Sequence, residues 1–79
     1  MDRQMIDRLR LAEQHVKDGE AIVERQRVLV ALLTAHGHPT AMAKELLAQF
    51  TRTLDAQISD RDRLQRELAA YVTRTVDWE

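Results

Sequence analysis

Apolar residues recur along the chain at alternating four- and three-residue steps, the spacing that keeps one stripe of an α-helix turned towards a partner helix. The later run is Ala43, Leu47, Phe50, Leu54, Gln57, Arg61, Leu64, Leu68 and Tyr71, and the earlier one is Leu9, Ala12, Val16, Gly19, Val23, Gln26, Val30 and Leu33. Between them lies His36-Gly37-His38-Pro39-Thr40. Glycine there can close a helix in the left-handed conformation, proline cannot continue one, and threonine can cap the next. The residues that follow, Ala41 to Glu45, are mostly good helix formers. The pattern predicts a helix over about 3–36, a turn at 37–40, a second helix over about 41–71 and a frayed tail at 72–79. So short a connection sets the helices side by side and antiparallel, giving an all-α two-helix hairpin in a single domain.

Folding about Gly37 stacks the two runs in layers: Leu33 with Ala43, Val30 with Leu47, Gln26 with Phe50, Val23 with Leu54, Val16 with Arg61 and Leu9 with Leu68. The expected intrachain core is therefore Leu9, Val16, Val23, Val30, Leu33, Leu47, Phe50, Leu54, Leu64 and Leu68. The first helix also carries a second apolar stripe, Leu11, Ile22, Leu29 and Leu32, about 100° or more round from the first, and the second helix adds Leu46 and Ile58. One partner helix cannot cover both stripes. Burying each such side chain yields about 1.5–3 kcal/mol, so these six residues are expected to form a dimer interface. A two-fold pair of hairpins, closing as a four-helix bundle, is the simplest solution. The alternative is a frayed monomer with scattered surface leucines, and two helices alone bury little core.

Interruptions of the seam carry information of their own. Asp18-Gly19 could break the first helix, since glycine costs about 1 kcal/mol in a helix interior. The seam spacing passes through position 19 unshifted, which favours a continuous helix with Gly19 allowing close approach. Gln26, Gln57 and Arg61 place polar groups in otherwise apolar layers. Buried amides can fix register in coiled coils, whereas an arginine can pack its stem and carry its head to the edge.

Composition narrows the functional classes. In 79 residues there are 12 basic and 13 acidic side chains, and each half is close to neutral. No cationic face exists to neutralise several phosphates or an anionic membrane surface, so neither nucleic acid nor membrane is an expected partner. Aromatic residues are confined to Phe50, Tyr71 and Trp78. The absence of cysteine removes disulfides, thiolate catalysis and thiolate zinc sites. Met1 to Arg10 lacks the apolar core of a signal peptide, and no stretch approaches the roughly 20 apolar residues of a membrane span, so a cytoplasmic protein is expected.

Candidate chemistry is sparse. His36 and His38 flank the turn, and His15 lies some 30 Å away along the first helix at about 1.5 Å per residue, so the three cannot converge. The turn pair supplies two ligands at best, and neither metal nor cofactor is expected. Ser59 is the only serine, and neither a phosphate-binding glycine loop nor a zinc-protease motif occurs. Asp60, Asp62 and Glu67 interleave with Arg61, Arg63 and Arg66, and Asp62–Arg66 and Glu13–Lys17 have the spacing of surface pairs. Two helices offer no cleft able to desolvate a substrate, so no enzymatic activity is expected.

Ile22, Arg25-Gln26, Leu29, Gly37-His38-Pro39-Thr40, Leu46-Leu47, Phe50 and Asp60-Arg61-Asp62-Arg63-Leu64 together resemble a group of small uncharacterised bacterial helical-hairpin proteins. The likeness covers about the central two thirds of the chain. It implies a short stand-alone hairpin and no assigned activity. Members of that group often carry an acid before the turn threonine, where this chain has Pro39. The function expected is that of a non-enzymatic protein–protein interaction module, a small regulatory or scaffolding homodimer that also binds another protein. The alternative is a ligand or metal sensor using the turn histidines or the bundle interior, and a third is a nucleic-acid-associated regulator.

Overall fold

The computed structural model describes residues 3–76, and the side chains of 3–74. It is all-helical: α1 spans Arg3–Ala35 and α2 spans Ala41–Val76, packed against each other along their length. No strand occurs among the described residues. The molecule is a rod of 66 × 14 × 14 Å. No helix is long and apolar enough to cross a membrane among the described residues.

The turn is built by backbone geometry. Gly37 adopts φ 71°, a conformation that costs a residue with a Cβ about 1–2 kcal/mol. In that shape the Gly37 N–H donates to the Thr34 carbonyl at 3.1 Å and the His38 N–H to the Leu33 carbonyl at 2.9 Å. This pair of bonds is a Schellman closure, which satisfies two carbonyls that the end of α1 would otherwise leave open. Pro39 then blocks further helix. Thr40 opens α2 through its carbonyl, which accepts the Lys44 N–H at 2.8 Å. The hydrogen bonds of the described residues include no cap from its hydroxyl, unlike the side-chain cap expected there.

α1 runs unbroken through Gly19, which is buried. A Cβ at that position would collide with Gln57 Oε1 and come within 3.1 Å of Leu54 Cδ1. The missing side chain therefore brings the two helices together at this level. α2 continues to Val76, so 72–76 is helix rather than frayed chain. Nothing in that stretch breaks a helix, and Arg74 in the last turn complements the helix dipole. Residues 77–79 of the expected tail lie outside the described residues.

All residues of both seams are buried or half-buried. The buried apolar set is small: Ala12, Val16, Val23, Ala43 and Leu64. Of the expected intrachain core, Val16, Val23 and Leu64 are buried, whereas Leu9, Val30, Leu33, Leu47, Phe50, Leu54 and Leu68 are half-buried. The cause is geometric, because a single neighbouring helix covers only part of a long side chain's circumference.

Three polar seam residues resolve differently. Gln26, also buried, donates from Nε2 to the Ala43 carbonyl at 2.9 Å. Its expected layer partner was Phe50, one heptad further along α2. A helix carbonyl points towards its own C-terminus, which in antiparallel α2 is towards Gln26, and the long amide bridges two layers instead of filling one. Gln57 leaves Oε1 buried with no hydrogen-bond partner. Arg61 takes its guanidinium out of the seam to the neighbouring Asp62 at 2.9 Å.

Candidate functional site

With the seam assigned to heptad positions a and d, most of the exposed large apolar residues gather on one flank of the rod, while Val28 falls at f and Val72 at e. Ile22, Leu29 and Leu46 fall at g, and Leu11, Leu32 and Met42 fall at the adjacent c positions. In an antiparallel pair the g positions of both helices lie on the same side. Arg8 and His15 from α1 share a shallow groove with Asp60 from α2, all three at g, in agreement with that sorting. The opposite flank, built from e and b, is chiefly charged: Arg10, Glu13, Lys17, Glu20 and Arg27 from α1, Lys44, Asp55 and Asp62 from α2.

The level of each residue follows from Gly19 lying against Leu54 and Gln57. Equal steps in opposite directions along the two helices set Leu29 beside Leu46 and Leu32 beside Met42, with Ile22 next below. The g/c flank is thus mainly apolar in the half nearest the turn, with Arg25 and Gln49 at c and Thr53 at g as its polar members. Towards the open end it becomes polar and charged, with Arg8, His15 and Asp60 around Leu11 and with Arg63 and Glu67 on the same flank.

Of the six residues expected at a dimer interface, Leu11, Ile22, Leu29, Leu32 and Leu46 are 37–58% exposed. They share the g/c flank, although Leu11 stands apart among charges. Ile58 does not belong with them. It sits at e, beyond the seam, and is half-buried. Met42, outside that expected set, is the most exposed large apolar side chain among the described residues at 79%, and its place one helical turn before Leu46 could have flagged it.

Charged groups elsewhere are solvated pairs. Arg63 bridges Asp60 at 2.6 Å and Glu67 at 3.1 Å. Its guanidinium is held above its ordinary value, first by the Asp60 hydrogen bond and then by the charges of Glu67 and Asp60. Glu24 and Arg27 approach to 3.8 Å. The expected Asp62–Arg66 and Glu13–Lys17 pairs do not close: Asp62 turns to Arg61, and such exposed pairs gain too little to hold two long side chains in one geometry. His36 and His38 are both exposed at the turn. No group of three or more His, Asp or Glu side chains able to hold a metal ion occurs among the described residues. Compared with family models, curated proteins and solved structures, the chain matches none of them.

Proposed function

We propose that the chain is a non-enzymatic protein–protein interaction module that works as a homodimer in a regulatory or scaffolding role in the cytoplasm. One observation carries this reading: a row of exposed large apolar side chains on one flank of a rod whose own core is thin. The accessible surface is 6141 Å², about 1200 Å² more than the roughly 4900 Å² expected of a compact monomer of this mass. Ile22, Leu29, Leu32, Met42 and Leu46 contribute to that excess, and a second copy covers them.

Light scattering over a dilution series tests it. The parent protein is expected at twice the chain mass of 9.2 kDa. Leu29→Asp is expected at the chain mass with its helical content retained. A symmetric interface feels each substitution twice, so losing about 1.5–3 kcal/mol per side chain weakens association by more than about 100-fold. An unchanged mass in the variant would contradict the interface.

A further inference from the structure

We infer that the second copy docks on the g/c flank with both turns at the same end, the two-fold axis running along the rod, so that α1 of each copy lies against α2 of the other. This rests on the dimer reading above and adds to it a face, an orientation and a set of facing residues.

Three two-fold arrangements are open to a flank that is apolar near the turn and charged near the open end. In full overlap with turns at opposite ends, Leu29, Leu32 and Leu46 of one copy meet the Arg8, Asp60 and Glu67 region of the other, and charges are desolvated against leucine. In half overlap, with the apolar halves together and the rods pointing apart, only part of each flank is used. A flank of 66 × 14 Å has a footprint of about 900 Å², close to the ~800 Å² per partner of a stable interface, and half of it falls well short.

Full overlap with turns together satisfies both demands. The axis along the rod preserves height, so each α1 residue meets the α2 residue of its own level from the other copy. Leu29 then meets Leu46, and Leu32 meets Met42. Towards the open end Arg8 meets Glu67, cation against anion, His15 meets Asp60, and Arg63, which bridges Asp60 and Glu67 within its own copy, comes beside Leu11. Most levels of the flank thus meet their like, apolar against apolar near the turn and charged or polar groups together towards the open end, as a closed two-fold pair requires. All neighbouring helices in this bundle run antiparallel.

The chain has no cysteine, so single-cysteine variants accept one spin label each. His38→Cys marks the turn and Arg10→Cys the open end, both exposed and neither on the g/c flank. Pulsed dipolar spectroscopy on labelled protein whose mass has been measured by light scattering reads the distance between copies. With turns together, both variants give distances below about 40 Å, a few helix diameters across the bundle. Turns at opposite ends give a long distance at 38, about 50 Å or more at 1.5 Å per residue, with a short one at 10, and half overlap gives a short distance at 38 with a long one at 10. Either result at dimer mass overturns the orientation while leaving the dimer reading intact. A monomer mass for the labelled and unlabelled protein alike overturns both.

Discussion

Gly19 has the least room in the hairpin, and a double substitution there checks the register of the two helices. Alanine in mid-helix is worth about 1 kcal/mol over glycine, and on an open surface Gly19→Ala would gain that amount. Here the added methyl collides with Gln57 Oε1 and lies 3.1 Å from Leu54 Cδ1. Forcing extra volume into a packed contact costs about 1–3 kcal/mol. The lower end applies, because Gln57 Oε1 is the far end of a flexible side chain and makes no hydrogen bond that moving would break. Gain and loss therefore nearly cancel, and Gly19→Ala alone is expected to change stability by less than about 0.5 kcal/mol.

Removing the obstacle separates the two terms. In a Gln57→Ala background the methyl meets only Leu54, and Gly19→Ala recovers most of the helix propensity, about 0.5–1 kcal/mol. The four proteins of the cycle thus carry a coupling energy of about 0.5–1 kcal/mol. Urea unfolding followed by circular dichroism measures it, at one protein concentration throughout, because association shifts apparent stability. Additivity within about 0.3 kcal/mol would refute the contact, and with it the level at which Leu29 stands beside Leu46.

Two further substitutions test the frame. Gly37 is held at φ 71° with nothing within 4 Å of a built Cβ, so Gly37→Ala loses about 1–2 kcal/mol in a thermal melt through backbone strain alone, and Gly37→Asn loses less; equal losses would point to something other than left-handed strain. Gln26 donates to a carbonyl that keeps its own helical N–H, so Gln26→Leu is expected to stay within about 1 kcal/mol of the parent while Gln26→Ala loses about 2 kcal/mol through the vacated volume and the missing bond; a large loss in the leucine variant would show that the amide bond itself carries the layer.

The seam and the turn were legible because each rests on a strong local rule. Two helices alone can shield only a 3.5-residue stripe, so the 4-3 spacing marks which side chains lose water, and glycine followed by proline permits few continuations. Side-chain conformation was not legible in the same way. Nothing in the residue order says that Asp62 turns to Arg61 rather than Arg66, or that the Gln26 amide crosses a layer to Ala43. The end of α2 was set too early because Tyr71 is the last seam residue, whereas a helix stops at a breaker or a cap and none stands before Val76. The placing of Ile58 was open to correction from the sequence itself. Twelve residues separate it from Leu46, a turn of about 120° on the helix wheel, too wide for one narrow stripe.

Features of the chain divide by whether a lone hairpin has any use for them. Gly37, Gly19 and the seam define one rod, and they do so with few buried side chains and with an unpartnered Gln57 oxygen inside it. Ile22, Leu29, Leu32 and Leu46 weaken that rod's case as an isolated species, since each leaves 37–52% of its surface open to water. Under the proposed pairing the same side chains enlarge the core to four helices wide. Folding and association then draw on one set of contacts, and the melting temperature rises with protein concentration. A partner protein that covers the g/c flank would compete with the second copy and change assembly and stability together, so that the proposed pairing would act as a switch.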